Sequence, residues 1–388
     1  MKYDFNTVVN RTGTGSLKWK NAEKILNKPC TIPPLSTADM EFVACPSVVS
    51  QIEEAMHHQG VFGYTSCPDG YTKTVVNWLK EEHQFDCGEA WILQTFGVIQ
   101  AIHHIVNCFT SVGDDIIIQT PVYHQFKKII NHTQRNCVEN ALRIVGGRYE
   151  MDFDDLEQKA KSAKMLILCS PHNPIGRVWT IEELKRVQEI AEKNNLLVVA
   201  DEIHFDFILD GKHTVFANLM KDNVILCTSP SKTFNLAGLN LANIIIPNQG
   251  IKKKLEEHLE NEDVHYQTYF GYHACMGAYS NEGRVWKNEL TQVIQNNFDV
   301  FKKFIEESLP TCTLFHLEGT YLAWLDCNGL GYSEDILIEM LNKEEIFVDR
   351  GSTFGHNGTG FIRINLACPT SVIFEVIERF KKCFVNKI

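Results

Sequence analysis

Ser229-Pro230-Ser231-Lys232-Thr233-Phe234-Asn235-Leu236-Ala237-Gly238 is the stretch on which the interpretation of the whole chain depends. It follows residues 223–228, an apolar run typical of a buried strand. A lysine between two small hydroxyl residues contributes little to packing, but strand ends in open α/β sheets line the ligand crevice. Lys232 is therefore a candidate reactive amine, although the motif alone fits an ordinary loop lysine equally well.

Length, charge and composition limit the class of protein. The 388 residues predict two or three domains, and 44% apolar with 22% charged residues is typical of globular proteins. A net charge of −11 disfavours a nucleic-acid-binding surface. The first residues lack the apolar segment of a signal peptide and no apolar run approaches a membrane span, so we expect a cytoplasmic protein without a membrane partner. The 13 scattered cysteines form no CxxC, and HExxH, P-loop and GxGxxG motifs are absent, which predicts no metal site.

Apolar runs alternate with helical patterns between residues 91 and 247. The runs at 115–119, 163–169, 196–200 and 223–228 predict parallel strands covered by helices on both faces. Runs at 91–95 and 241–247 predict two further strands, and residues 290–388 alternate in an α+β manner. We therefore predict an α/β fold with a mostly parallel central sheet sandwiched by helices and a smaller α+β domain. The predicted boundaries are an extended N-terminal arm at 1–45 belonging to the small domain, a large domain at 46–285, and a small domain at 286–388.

Four predicted strand ends carry Tyr123, Asn173, Asp201 and Lys232. Parallel strands bring such ends to one rim, and these residue types suit pyridoxal phosphate, which needs an amine, an acid near its ring nitrogen, a donor to its phenolic oxygen and an aromatic face. Each residue also has a purely structural interpretation: a loop lysine, a helix cap, a turn asparagine or a core tyrosine. Without a cofactor, all four structural interpretations would have to be true at once for residues that meet at one rim. The combination therefore favours a cofactor site.

Three segments resemble the fold-type-I enzymes that depend on pyridoxal phosphate, in the class I/II aminotransferase superfamily. They are Ser170-Pro171-His172-Asn173-Pro174-Ile175-Gly176, Asp201-Glu202-Ile203-His204 and the stretch around Lys232. The chain resembles one branch more closely, the cystathionine β-lyases or cysteine C–S lyases, which includes members that double as a maltose-regulon repressor. Residues 10–14, 18–19, 38–42, 63–65 and 363–369 carry that likeness.

The resemblance implies a homodimer with shared active sites and a C–S β-lyase of methionine biosynthesis. Its expected substrates are L-cystathionine or related cysteine S-conjugates, and its products are pyruvate, ammonia and a thiol such as homocysteine. The implied site residues are Lys232 as Schiff-base lysine and general base; Tyr123 and Tyr64 as proton-transfer groups, Tyr64 acting in the neighbouring subunit; Gly97, Val98, Ile99, Ser229 and, more weakly, Ser231 for the phosphate; Tyr123, Asn173, Asp201 and His204 for the cofactor; and Arg363, Asn173, Tyr64, Ala38 and Asp39 for the substrate.

Three positions depart from the family pattern. Asn240 lies eight residues after Lys232, where many aminotransferases have an arginine for the phosphate, and this favours the lyase branch. Nothing in the sequence explains Lys20 after the arm tryptophan or Thr370 after Pro369. Two alternatives stay open: an aminotransferase, which shares the early steps, and a regulatory protein that binds a transcriptional activator.

Overall fold

A seven-stranded sheet lies at the centre of the protein, whose computed structural model describes residues 1–264 and 268–385. The strands in these residues are β1 Ile92–Thr95, β2 Asp115–Ile118, β3 Asn136–Glu139, β4 Arg143–Val145, β5 Arg148–Glu150, β6 Met165–Cys169, β7 Leu197–Asp201, β8 Val224–Thr228, β9 Ala242–Ile245, β10 Thr313–Leu314, β11 Leu322–Asp326, β12 Asp349–Arg350 and β13 Phe361–Asn365. The helices are α1 Leu17–Leu26, α2 Pro46–Gln59, α3 Tyr71–His83, α4 Val98–Phe109, α5 Gln125–His132, α6 Phe153–Ala160, α7 Ile181–Lys193, α8 Gln249–Asn261, α9 Tyr269–Ala278, α10 Asn281–Ser308, α11 Glu334–Lys343 and α12 Thr370–Phe384.

The central sheet has the strand order β1-β9-β8-β7-β6-β2-β3. Strands β8, β7, β6, β2 and β3 run parallel, whereas β9 is antiparallel to both of its neighbours. This mostly parallel arrangement confirms the predicted α/β class. It also brings the carboxyl ends of β8, β7, β6 and β2 to one edge, the place where ligands bind in such sheets.

Both faces of the sheet are buried, which explains the continuous apolar runs. In β7, Val198 and Ala200 face a core that includes α7 and α10. Leu197 and Val199 point the other way, into a core that includes α4, α5 and α8. Alternate side chains of one strand thus enter two different cores, so every position must be apolar.

The N-terminal arm contains a helix, and the prediction of an extended arm was wrong in this respect. Helix α1 buries Lys18, Trp19 and Ala22 on one face. Lys18 Nζ lies 2.7 Å from Glu41 Oε1 and 2.9 Å from Asp39 Oδ1. The Trp19 indole N–H donates to the same Glu41 carboxylate. A lysine at the centre of a buried face breaks the apolar periodicity by which amphipathic helices are recognised.

Replacing Lys18 with methionine is expected to destabilise the protein by about 1.5–3 kcal/mol, because Glu41 and Asp39 both lose a buried charged partner. Arg11 stays paired with both carboxylates, which limits the loss. The more buried of the two carboxylates is Glu41, whose side chain is 1% exposed. Lys20→Met is the matched control, since Lys20 lies on the exposed face of the same helix. Urea unfolding of the two variants checks the expectation, and equal midpoints for both would contradict it.

A second sheet forms the core of the C-terminal part, with order β10-β11-β13-β12 and antiparallel pairing throughout the described residues. Its register places Asp349 opposite Arg363. Strand β12 begins at Asp349, after the apolar run at residues 346–348. The run itself is not part of the strand, because the Ile346 N–H closes the end of α11 by donating to the Leu341 carbonyl and the Phe347 carbonyl accepts from the Leu35 N–H.

Helix α10 connects the two parts of the molecule. Its 28 residues span about 42 Å at 1.5 Å per residue. Trp286 and Leu290 pack in the core of the large sheet, and Phe301 and Phe304 pack in the core of the small sheet. The domain boundaries themselves stay a prediction. None of the helices in residues 1–264 and 268–385 is long and apolar enough to cross a membrane.

Candidate active site

The four predicted strand ends meet at one cavity of about 300 Å³. Asp201 ends β7, and the register pairs it with Cys169 at the end of β6 and with Cys227 near the end of β8. Tyr123, Asn173 and Lys232 come from the segments that follow β2, β6 and β8. The predicted site residues that line the cavity are Ala38, Gly97, Val98, Ile99, Tyr123, Asn173, Asp201, His204, Ser231, Lys232 and Arg363.

The Lys232 amine is held inside the cavity. Its Nζ donates a hydrogen bond of 2.7 Å to the Ala38 carbonyl, which also accepts from the Tyr321 hydroxyl at 3.1 Å. Burial lowers the pKa of Lys232 to about 8, and the positive charge of Arg363 acts in the same direction. A large fraction of this amine is therefore neutral at mildly alkaline pH, the form required of a nucleophile or general base.

Asp201 presents a buried carboxyl group to the same cavity. Burial raises its pKa to about 7, opposed by a hydrogen bond from the Ile203 N–H at 3.2 Å and by the Lys232 charge. His204 is also buried, and its Nδ1 has no hydrogen-bond partner among the described residues. Burial holds the pKa of His204 well below its usual value, so the ring is neutral. Buried polar groups in this state indicate a site built for a ligand.

The N-terminus of helix α4 opens onto the cavity. Gly97 adopts φ +112°, a value that favours glycine, and serves as the N-cap residue. The amide N–H groups of Gly97, Val98 and Ile99 have no acceptor within the helix, because they lie in its first turn. All three residues line the cavity. Free amides at the positive end of a twelve-residue helix form a binding site for an anionic group such as a phosphate.

Arg363 lies on β13 with its guanidinium fixed on two sides. Nε and Nη2 donate to Asp349 Oδ2 at 3.2 and 2.5 Å, and Nη1 donates to the Asn173 side-chain carbonyl at 2.7 Å. The guanidinium also stacks over the Phe354 ring at 4.6 Å. This pairing fixes the orientation of the planar guanidinium, whose donors suit a carboxylate.

Three predicted residues lie outside the cavity lining. The Ser229 hydroxyl is buried behind it, donating to the Leu241 carbonyl at 2.6 Å and lying 2.9 Å from the Ser231 hydroxyl. The Asp39 carboxylate turns away to Lys18 and Arg11. Tyr64 is 93% exposed on the loop after α2, so it does not reach the site of its own chain.

Asp349 and His124 are among the cavity residues that sequence reasoning missed. Asp349 follows an apolar run that resembles any strand end, and only the pairing of β12 with β13 brings it to Arg363. His124 follows Tyr123 directly, so its position beside a candidate residue was the available signal.

The residues present fit pyridoxal phosphate. The partly neutral Lys232 amine suits its aldehyde, the Asp201 carboxyl suits its ring nitrogen, and the α4 amides suit its phosphate. The Asn173 side-chain carbonyl accepts a hydrogen bond from Arg363, which leaves its NH₂ group to donate to the phenolic oxygen. Tyr123 lines the cavity with an aromatic face.

Comparisons with known proteins point to enzymes that bind pyridoxal phosphate. A family model described as aminotransferase class I and II matches residues 33–380. Cystathionine beta-lyase PatB of Bacillus subtilis (strain 168) is 34% identical over 386 residues, covering 97% of this chain and 99% of the relative. The crystal structure of cystalysin from Treponema denticola, which contains pyridoxal 5'-phosphate, covers 100% of both chains with 39% identity and a TM-score of 0.96. The pyridoxal-phosphate-bound C–S lyase from Staphylococcus hominis covers 100% of both chains with 28% identity and a TM-score of 0.91.

Proposed function

The chain belongs to the aminotransferase class I and II family, and we propose that it is a pyridoxal-phosphate-dependent carbon–sulfur β-lyase. Its substrates are L-cystathionine or related cysteine S-conjugates, which it converts to pyruvate, ammonia and a thiol. The observation that carries the proposal is one cavity that joins the Lys232 amine, the Asp201 carboxyl and the Arg363 guanidinium. The relatives named for C–S cleavage, similar over nearly the full length, support elimination as the reaction.

The proposed cofactor contacts follow from the positions of the side chains. Lys232 would bind the aldehyde, Asp201 would pair with the ring nitrogen, and Tyr123 would contact the aromatic ring. Bound there, pyridoxal phosphate supplies an electron sink for negative charge at the substrate Cα. For the phosphate we propose the α4 amides with Ser231, since Ser229 is turned towards the Leu241 carbonyl.

The chain's own residues perform the remaining tasks. Arg363 binds the substrate α-carboxylate, and because Asp349 and Asn173 already fix its guanidinium, little orientational freedom is lost on binding. The Lys232 amine removes the proton from Cα, a role that its lowered pKa favours. Loss of the thiolate from Cβ then completes the elimination.

The reaction itself provides the test. Protein loaded with pyridoxal phosphate and given L-cystathionine without any keto acid is expected to release pyruvate and homocysteine over many turnovers. A transaminase stops after one turnover under these conditions, so turnover that begins only when a keto acid is added would establish aminotransfer instead. No reaction with cystathionine, cystine, cysteine or S-conjugates would contradict the proposal.

We also propose a homodimer in which Tyr64 of each subunit reaches the partner's site, where it assists in binding or proton transfer. Tyr64 is exposed, and Phe62 on the same loop is 60% exposed. Two exposed aromatic side chains on one loop support a second subunit that covers this surface. Sedimentation as a 44.3 kDa monomer would contradict this. A cytoplasmic location and a place in methionine biosynthesis stay predictions of the sequence.

A further inference from the structure

His124 lies at the same end of the cavity as Arg363. It shares the cavity lining with Tyr123, Asp349 and Arg363. The Phe354 ring contacts both sides, since its centroid is 6.2 Å from that of His124 and 4.6 Å from the Arg363 guanidinium. His124 is therefore close to the group that we assign to the substrate α-carboxylate.

The tautomer of His124 leaves one N–H without a partner. Gln125 Nε2 lies 2.9 Å from His124 Nε2, and with the amide nitrogen as donor, Nε2 accepts and the proton is assigned to Nδ1. Nδ1 is buried, and among the described residues nothing accepts its hydrogen bond. A buried donor without an acceptor is costly, and because His124 lines the cavity, a molecule bound there can supply the acceptor.

His124 and Tyr123 also line a second cavity of about 370 Å³. This cavity lies between α5 and the segment around Phe354, and includes Lys128 and His356 among its lining residues. His124 therefore stands between the space for the amino-acid head and a space that can receive whatever is attached to the substrate sulfur. The sulfur atom, one bond beyond Cβ, connects these two parts of the substrate.

We propose that His124 is a catalytic residue whose Nδ1–H donates a hydrogen bond to the departing sulfur atom, an inference that rests on the proposed lyase function. The Cα proton passes to Lys232 Nζ, its electron pair forms the Cα–Cβ double bond, and the Cβ–S bond breaks with its pair on sulfur. The negative charge that develops on sulfur is stabilised by the His124 N–H, and the thiolate later takes a proton from water.

The surroundings keep His124 neutral while it acts. Burial lowers its pKa, the Arg363 and Lys128 charges act in the same direction, and Asp349 opposes them. A neutral imidazole can donate to a developing anion without transferring its proton, and a fixed donor of this kind stabilises charge in a water-poor site.

Two leaving groups distinguish this role from a structural one. L-cystathionine loses an alkyl thiolate, whereas β-chloro-L-alanine loses chloride, the anion of a strong acid, which departs without a hydrogen-bond donor. His124→Phe is expected to lower kcat/KM for L-cystathionine about 10²-fold, the usual effect of removing one such donor, and to change that for β-chloro-L-alanine less than about threefold. The ratio of the two values is the measured quantity.

Two further variants complete the experiment. His124→Asn places an amide N–H near the position of Nδ1 and is expected to keep the wild-type ratio within about fivefold, even if the phenylalanine variant folds poorly. His103→Phe on α4, outside the cavity lining, is the matched control. The dissociation constant of L-alanine, which has no leaving group and is followed by cofactor absorbance, is expected to be the same in all variants.

Each outcome bears on the proposal. Equal losses on both substrates, no loss on either, or equal behaviour of the asparagine and phenylalanine variants would overturn the role of His124 while leaving the lyase function intact. Failure of the wild-type protein to cleave L-cystathionine or any S-conjugate would instead remove the proposed function, and the inference with it.

Discussion

Replacing Lys232 with alanine is expected to lower thiol and pyruvate release at least about 10³-fold, because one side chain supplies both the covalent attachment and the base. The α4 amides, Asp201 and Ser231 are unchanged in the variant, so pyridoxal phosphate should still bind without the covalent bond. Borohydride reduction followed by mass spectrometry measures the attachment directly. The wild-type chain should gain the cofactor mass, and the variant should not.

Two substitutions serve as controls for the Lys232 prediction. Lys232→Arg keeps a positive charge but remains protonated at all relevant pH values, so it should be as inactive as the alanine variant. Lys164→Ala removes an exposed lysine just before β6 and should retain full activity. Turnover by Lys232→Ala near the wild-type rate, or cofactor attached to a different lysine, would refute the assignment.

Replacing Asp201 with asparagine is expected to have opposite effects on activity and stability. Activity should fall about 10²–10³-fold, because a neutral amide no longer holds a positive ring nitrogen. The cofactor-free protein should become more stable at pH 8, because the buried carboxylate is removed. Burial raises the pKa of Asp201 to about 7, so ionisation above that pH destabilises the empty site.

The pH dependence of this stability effect has a definite sign. The folded-state pKa of about 7 lies above the ordinary value of 3.8, so the native state binds more protons between these limits. The contribution of Asp201 to the wild-type free energy of unfolding therefore falls as pH rises from about 4 to about 7. Melting of the cofactor-free proteins should show a larger advantage for Asp201→Asn at pH 8 than at pH 5. Asp222→Asn, an exposed control near β8, should show no such trend, and a less stable Asp201→Asn at pH 8 would refute the argument.

The parallel strands and their polar ends were predictable because two physical patterns coincide there. Strands buried on both faces give uninterrupted apolar runs, and parallel topology brings their ends to one rim. Tyr123, Asn173, Asp201 and Lys232 therefore came together without any knowledge of tertiary contacts.

The remaining features depend on contacts that no local pattern encodes. Asp349 meets Arg363 only through the register of β12 and β13. Ser229 and Ser231 lie two residues apart in one turn, and the backbone path alone decides which hydroxyl lines the cavity. Helix α1 was missed because the partners of its buried lysine come from a later segment of the arm.

Helix α10 has a consequence for how the protein loses its structure. Its first half is packed against the core behind Lys232 and its second half against the core behind Arg363. Unfolding of either core exposes half of the apolar face of this continuous helix. The packing of the helix against the remaining core is weakened as a result. The two halves of the site therefore unfold cooperatively. Substitutions far out in the C-terminal sheet lower the population of the whole folded active site and not of one half alone.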